Sequence, residues 1–309
     1  MNGNSKYRNK KNILSGFMAG CLAAAMLLAS SCAPAGSAAG EASAAAPSVD
    51  VSADANASPA ASVDPNASPT ITPTPEVVDL SQYPAVPLPQ LDPVTKGEEV
   101  AVLHTDFGDI KIRFFSQYAP KAVQNFKTLA KSGYYDNNTF NHVMENGIIQ
   151  SGDPTGAGTG GQRIWGQGFD PEPTLTLHNI YGAVSMVHGQ GSALQGSQFF
   201  IVANKTLDDA TKTQMESYKD EQNVVALTTS DGTKVPFSQL FPTQIIDKYI
   251  QDGGIPSFDL QYTVFGQVID GFDAVDKIAS VPTSQDTAKA NQPLTDVKIN
   301  SVSFENYEG

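Results

Sequence analysis

The chain has few cysteines, few basic residues and little charge, and each shortage excludes a class of protein. Its 309 residues include 2 cysteines, too few for a disulfide-stabilised scaffold. The 19 lysines and arginines are outnumbered by 32 acidic residues, and the net charge of −13 argues against a nucleic-acid partner, because binding phosphates requires a basic surface. The 4 histidines have no metal-ligand spacing, so the sequence predicts neither a metal nor another cofactor. Hydrophobic residues still reach 40%, which allows a substantial core.

Residues 1–31 have the pattern of an export signal peptide. Four basic side chains lie within residues 6–11 without an acidic neighbour, and an apolar run rich in Ala and Gly follows over residues 13–29. Such a run is short for a permanent membrane-spanning helix. We therefore expect a cleaved secretory signal, and the alternative is a signal anchor that stays in the membrane.

Cys32 follows the apolar run, within the sequence Leu28-Ala-Ser-Ser-Cys32. This segment resembles the lipobox of bacterial lipoproteins, with Ala29 at a position where leucine is usual. The resemblance implies that Cys32 is acylated and becomes the first residue of the mature chain, because stable anchoring requires more than one acyl chain. Cys21 would leave with the signal, so we expect no disulfide. The expected location is the extracytoplasmic face of the cell membrane.

Residues 32–90 have the composition of a disordered tether. Between Ala33 and Pro75, 28 of the 43 residues are Ala, Ser or Pro, and Lys and Arg are absent. A segment with so few bulky apolar side chains cannot offset the entropy of ordering its backbone. We therefore expect a lipid-attached spacer that holds a folded domain, residues 91–309, away from the membrane.

The hydrophobic pattern of the domain predicts many short strands and a helix near each end. Val100–Thr105 and Ile110–Phe115 flank a Gly-containing turn, as expected for a β-hairpin. Pro120–Lys131 has its apolar residues on one helical face, and Phe272–Ile278 repeats that pattern. Short alternating strands with two outer helices indicate a closed barrel with helical caps.

Five motifs follow one another in the domain: Phe140-Asn-His-Val143, Gln150-Ser-Gly-Asp153, Ser185-Met186, Gly196-Ser-Gln-Phe-Phe-Ile201 and Val264-Phe-Gly-Gln-Val268. Through these motifs the sequence resembles cyclophilin-type peptidyl-prolyl cis-trans isomerases over residues 98–304. The resemblance implies a mainly β fold, a closed eight-stranded antiparallel barrel capped by two α-helices. It also implies that the X-Pro bonds of polypeptides are the substrate.

The same resemblance implies which residues form the active groove. The residues expected to act on the rotating bond are His142 and Gln150. His142 stands where the family has an arginine, and Gly147 stands where it has a large pocket phenylalanine. The residues expected to bind the substrate are Phe140, Ile148, Val187, His188, Gln198, Phe200, Phe258 and Tyr262.

The histidine at position 142 leaves the strength of catalysis open. Rotation about an X-Pro bond has a barrier of roughly 18–20 kcal/mol, because amide resonance resists it. A donor aimed at the proline nitrogen localises the lone pair and favours the twisted amide. A neutral imidazole offers one N–H for this task, whereas a guanidinium offers five. His142 is therefore a weaker donor, or the groove binds without catalysis, or His142 has no role.

Residues 205–256 form an insertion that the compact family fold does not need. Ala210–Tyr218 and Gln244–Gln251 have helical patterns, and residues 224–235 have the pattern of a hairpin. The insertion ends just before Phe258, so we expect it to border the groove. Insertions beside a site commonly tune substrate choice. The alternative is a purely structural excursion.

Three functions are compatible with these features. The preferred one is a membrane-anchored isomerase that assists the folding of exported proteins. The second is a catalytically weak chaperone or proline-peptide-binding module on the same fold. The third is a structural lipoprotein, against which the pocket residues Gln150, Gln198 and Phe200 argue. Expected partners are proline-containing exported polypeptides and, through lipid on Cys32, the membrane, and we expect a monomer.

Overall fold

A computed structural model describes residues 75–188 and 194–309. The predicted signal peptide, Cys32 and most of the predicted tether lie outside these residues, so those expectations stay predictions. Across the described ranges, no helix is both long enough and apolar enough to cross a membrane.

Within the described residues, the centre of the domain is an antiparallel sheet of nine strands, and a two-stranded hairpin lies in the insertion. The strands are β1 (Glu99–Thr105), β2 (Gly108–Phe114), β3 (Asn138–Thr139), β4 (His142–Val143), β5 (Ile148–Ser151), β6 (Ala183–His188), β7 (Gln195–Val202), β8 (Val225–Thr228), β9 (Lys234–Pro236), β10 (Val264–Asp270) and β11 (Lys298–Asn306). The order in the sheet is β3-β11-β1-β2-β10-β6-β7-β5-β4, and β8 pairs with β9. The predicted first hairpin is confirmed as β1–β2.

The expectation of a closed eight-stranded barrel is wrong in both strand number and closure. The sheet is a curled half-barrel whose end strands, β3 and β4, are not paired with each other in the part of the chain that the structure describes. Both belong to residues 138–143, in which β3 pairs with β11 and β4 pairs with β5. At Phe140-Asn141 the chain stops pairing with β11 and begins to pair with β5. The segment that would close the barrel is therefore divided into two short strands.

The described ranges contain five α-helices: α1 (Pro120–Lys131), α2 (Asp209–Asp220), α3 (Phe237–Leu240), α4 (Thr243–Asp252) and α5 (Phe272–Ala279). The helices predicted near each end of the domain are confirmed as α1 and α5, and those predicted in the insertion are confirmed as α2 and α4. α1 begins at Pro120, where a missing N–H costs no helical hydrogen bond. Its buried face, with Val123, Phe126 and Leu129, joins the main core cluster.

Adjacent residues of the central strands face opposite sides of the sheet, as the period of a β-strand requires. On one side, Ile149 and Ile201 belong to the main core cluster, which also contains the buried faces of α1 and α5. On the other side, Ile148, Phe200 and Val202 belong to a separate apolar cluster. The alternation therefore creates a second apolar surface outside the main core, and this surface carries the candidate site.

Residues 75–90 belong to the same compact unit as the rest of the described domain, ahead of the boundary at residue 91 that composition suggested. Val77 forms a β-bridge with the insertion. The side chain of Gln90 is buried, where it accepts a hydrogen bond from the N–H of His178 at 2.6 Å and donates one to its carbonyl oxygen at 2.8 Å. This stretch is therefore part of the domain, and the predicted tether is too long at its C-terminal end.

Candidate active site

Three of the predicted site residues lie in one row across neighbouring strands. His142 of β4 is directly opposite Gln150 of β5, and Gln150 is directly opposite Phe200 of β7. Directly opposite residues of antiparallel strands place their side chains on the same face of the sheet. The strand register therefore brings together residues that are far apart in the chain.

The row borders an apolar groove whose floor is Phe200. The Phe200 side chain is buried, and its ring meets those of Phe258 and Tyr262 edge-on, with centroid distances of 5.7 and 5.1 Å. Phe258 and Tyr262 are half-buried and 4.7 Å apart, so they form one wall. Ile148 and Val187 belong to the same cluster. Five predicted substrate-binding residues therefore share one apolar surface.

Met144 also packs in the groove cluster, although the family motifs did not point to it. A Cβ atom added at Gly147 would lie 2.8 Å from the Cβ of Met144, so a phenylalanine at position 147 is incompatible with this arrangement. Met144 supplies apolar bulk at this end of the groove instead. Its spacing could have identified it, because it lies two residues after His142 and alternate residues of extended chain share a face.

Two glutamine amides form the polar side of the groove. Gln150 Nε2 donates to Gln198 Oε1 at 2.9 Å, and Gln198 Nε2 donates to the carbonyl oxygen of Gly160 at 2.7 Å. This chain of hydrogen bonds fixes both amides against a Gly-rich loop. Within residues 75–188 and 194–309, no group donates a hydrogen bond to the side-chain oxygen Oε1 of Gln150. It is therefore free to accept a hydrogen bond from a peptide N–H.

His142 is half-buried beside this pair. Burial lowers the pKa of His142, because removing the ring from water disfavours its charged form. The imidazole is therefore neutral at neutral pH and carries one N–H. Among residues 75–188 and 194–309, no group forms a hydrogen bond with this ring. His142 thus has a donor available for a bound ligand, but a weaker one than a guanidinium.

His188 belongs to the same wall as Tyr262. The two rings stack with centroids 4.9 Å apart and 21° between their planes. Burial lowers the pKa of His188, and a hydrogen bond with the backbone of Gln261 opposes that shift. His188 is therefore a packed part of the groove and not a histidine on a free surface loop.

Phe140 is the one predicted substrate contact that the structure places elsewhere. It is 1% exposed and packs in the main core cluster with Phe126 and Tyr135. The chain changes partner directly after Phe140, so the alternation that points His142 into the groove does not extend back to it. We therefore correct its assignment from substrate binding to the core.

A hydrogen-bonded Ser-His-Asp trio lies elsewhere on the sheet and needs a separate explanation. His104 Nδ1 is 2.8 Å from Asp109 Oδ1, and His104 Nε2 is 2.9 Å from Ser303 Oγ. The order of contacts matches that of a hydrolase triad. However, β1 is paired on both sides, so its N–H groups cannot stabilise an oxyanion, and the Asp109 side chain is 56% exposed. We assign the trio to cross-strand hydrogen bonding, which gives His104 a structural role.

The domain is similar to known proteins. The family model described as "Cyclophilin type peptidyl-prolyl cis-trans isomerase/CLD" matches residues 100–304. A curated protein of Staphylococcus aureus (strain COL), named "Putative peptidyl-prolyl cis-trans isomerase", is 39% identical over 218 residues, which cover 70% of this chain and 98% of that protein. A protein of the same name from Staphylococcus epidermidis is 36% identical over the same shares of both chains.

A solved structure with a similar chain is that of a Cryptosporidium parvum cyclophilin type peptidyl-prolyl cis-trans isomerase in the presence of the dipeptide Ala-Pro. It is 26% identical, covers 67% of this chain and 99% of that chain, and has a TM-score of 0.48. The family match covers more than half of the chain, and the curated relatives are matched over almost their whole length. The chain therefore belongs to the cyclophilin-type peptidyl-prolyl cis-trans isomerase family.

Proposed function

We propose that the groove catalyses rotation about X-Pro bonds of exported polypeptides, and that the enzyme assists their folding at the outer face of the membrane. The observation that carries the catalytic part is the row of His142, Gln150 and Phe200 beside an apolar cluster. The row offers a donor, a side-chain amide acceptor and an apolar floor, which are the three contacts that we assign to prolyl rotation.

In this mechanism the proline ring packs against Phe200, and Oε1 of Gln150 accepts a hydrogen bond from an N–H of the peptide backbone. The N–H of His142 donates to the proline nitrogen as the amide twists and its lone pair becomes localised. This hydrogen bond is absent in both planar ground states, so it lowers the barrier selectively. An acceleration of about a thousandfold requires about 4 kcal/mol of such stabilisation.

A second candidate is a proline-peptide-binding module with little turnover. The specific observation in its favour is the single N–H of His142 at the position of the family arginine. The domain has two arginines, and neither stands at this position: Arg113 is held by Glu98, and the Arg163 side chain lies beside Gly196. Both candidates predict peptide binding, and they differ only in the rate of isomerisation.

The substrate class and the location rest on the N-terminal sequence. Residues 1–31 have an export pattern and Cys32 stands at a lipobox-like position. A polypeptide that has just crossed the membrane is unfolded, with X-Pro bonds that isomerise in tens to hundreds of seconds without catalysis. An isomerase tethered there by lipid would meet these chains before they fold.

One assay separates the enzyme from the binder. The purified chain is mixed with a proline-containing peptide, and exchange NMR measures both binding and the rate of cis-trans interconversion. The enzyme predicts a rate above the uncatalysed one at substoichiometric protein. Binding without any increase in rate would assign the chain to the binding module, and absence of binding would refute both.

The lipid anchor is tested with Cys32→Ala. Because acylation requires the cysteine sulfur, we expect the variant to be released from membranes or to accumulate as uncleaved precursor. Membrane fractionation and the mass of the protein distinguish these forms from wild type. A variant that is cleaved normally and remains membrane-bound would show that lipid on Cys32 is not the anchor.

A further inference from the structure

A buried carboxylate lies behind the aromatic wall of the groove. The Asp259 side chain is 3% exposed and directly follows the wall residue Phe258. It accepts hydrogen bonds from the backbone N–H of Asn179 at 2.7 Å and from Asn179 Nδ2 at 3.2 Å, and it lies 2.8 Å from His178 Nδ1. These partners belong to the segment that leads into β6, so Asp259 connects the wall to the sheet.

The remaining donor to Asp259 comes from the insertion. Tyr249 lies in α4 and is fully buried, and its hydroxyl is 2.8 Å from one carboxylate oxygen and 2.9 Å from the other. Burial raises the pKa of Tyr249 well above its ordinary value, so the hydroxyl remains a donor at neutral pH. A hydrogen bond to a buried charged group is among the stronger ones in proteins.

The end of α4 is built to hold Tyr249 against this carboxylate. Gly254 has a φ of 133°, and a Cβ atom there would lie 2.5 Å from the ring of Tyr249 and 2.7 Å from the carbonyl oxygen of Asn179. Gly253 is equally confined, because its Cβ would lie 2.4 Å from the carbonyl oxygen of Asn204. Both ends of the insertion are therefore held together at the position from which Tyr249 reaches Asp259.

The loop that Asp259 anchors is tight and strained. Leu260 has a φ of 61°, which is unfavourable for a residue with a branched side chain. The N–H groups of Gln261 and Tyr262 both donate to the carbonyl oxygen of Phe258, at 3.0 and 3.2 Å. The loop therefore begins and ends at the two wall residues, and it needs contacts from outside to keep this conformation.

We infer that Tyr249 is a positioning residue of the groove: its hydrogen bonds to Asp259 hold the loop that places Phe258 and Tyr262 against Phe200. The predicted effect of Tyr249 on substrate binding rests on the proposed function, whereas its predicted effect on the conformation of the loop does not. It gives the insertion a role in substrate binding, through a wall whose position depends on α4.

The test is Tyr249→Phe, which removes the hydroxyl and keeps the ring, in the full-length chain in detergent. Because a loose wall weakens binding of ground state and transition state alike, we expect KM for a proline peptide to rise roughly tenfold with kcat little changed. Hydrogen exchange at the Gln261 and Tyr262 amides should also accelerate. The matched control is Ile246→Val, which weakens the same buried cluster without touching Asp259 and should change neither KM nor exchange in the loop.

The two readouts separate this inference from the proposed function. If the wild-type chain has no turnover, isomerase activity is refuted. If Tyr249→Phe still accelerates hydrogen exchange in the loop, the positioning role is supported independently. Wild-type exchange and KM in Tyr249→Phe, or equal effects of Ile246→Val, would overturn the positioning role. If Tyr249→Phe does not fold, Asp259→Asn tests the same hydrogen bonds by changing their acceptor. We expect it to accelerate hydrogen exchange at the Gln261 and Tyr262 amides. Unchanged exchange in Asp259→Asn would also overturn the positioning role.

Discussion

His142 and His188 are the two histidines of the groove, and both are neutral at neutral pH because burial lowers their pKa values. Unfolding returns them to water, where a histidine has a pKa of about 6.5. Below that pH the unfolded chain binds more protons than the folded one. The stability contributed by the neutral rings is therefore complete above the unfolded pKa and is lost as the pH falls through the folded pKa values.

We therefore predict that the free energy of unfolding decreases between pH 7.5 and pH 5, and that replacing both histidines by glutamine reduces this decrease. Urea unfolding at the two pH values measures the effect. The carboxylates of the domain titrate in wild type and variant alike, so the comparison isolates the two rings. An identical pH dependence in both chains would show that neither histidine is desolvated in the folded state.

At the residue scale, the family motifs predicted most of the groove, because a motif fixes both the residue and its place in a strand. Gln150, Gln198 and Phe200 all lie where the motifs indicated. Phe140 was wrongly assigned to the groove. The chain changes its partner strand directly after Phe140, so the Phe140 side chain packs in the main core and not on the groove side of the sheet. Met144 was missed because it has no counterpart in the motifs, and only the glycine at position 147 makes space for it.

At the element scale, the strand β7 carries two adjacent phenylalanines with different roles. Phe199 packs in the main core cluster with Phe126 and Tyr135, whereas Phe200 forms the floor of the groove. Both side chains are almost completely buried, so burial alone does not distinguish them. The period of the strand does, because adjacent residues face opposite sides of the sheet.

We predict that Phe199→Ala lowers the free energy of unfolding by about 3–5 kcal/mol and leaves KM of the folded protein unchanged, because it opens a cavity in the main core. Phe200→Ala should instead raise KM for a proline peptide by roughly ten- to a hundredfold, since it removes the apolar floor. Urea unfolding and peptide titration of both variants provide the measurement. Equal effects of the two substitutions on KM would contradict the assignment of Phe200 to the groove.

Elements with a strong local pattern were predicted correctly, and those decided by long-range pairing were not. The β1–β2 hairpin, α1 and α5 have clear periods and boundary residues, and the structure confirms them. The division of residues 138–143 into β3 and β4 has no local signal, because it depends on which distant strand each half meets. Closure of the sheet therefore could not be predicted from the sequence.

At the scale of the whole molecule, the domain includes residues that composition assigned to the tether. Prolines at 84, 87 and 89 give this stretch the appearance of a linker. Its tertiary contacts are isolated ones, such as the hydrogen bonds of the Gln90 side chain and the β-bridge of Val77, and isolated contacts leave no periodic pattern. The sequence predicted a boundary between a tether and a folded domain in this region, but it did not predict that residues 75–90 belong to the domain.

We predict that a chain starting at Pro75 is more stable than one starting at residue 91, by about 1–3 kcal/mol, because the shorter chain leaves the buried polar groups of His178 without Gln90. Urea unfolding of both fragments measures the difference. Gln90→Ala in the longer fragment is the matched control and should account for much of the loss. Equal stability of the two fragments would show that residues 75–90 are dispensable for the fold.

The most direct test of the central claim is the isomerisation rate of wild type beside His142→Ala and His142→Arg, measured by exchange NMR on one proline peptide. If the His142 N–H stabilises the twisted amide, the alanine variant should lose kcat while its KM stays near wild type. The arginine variant should gain one to two powers of ten in kcat, or about 1.4 kcal/mol for each power. Wild-type kcat in His142→Ala would contradict the claim that this histidine acts on the proline nitrogen.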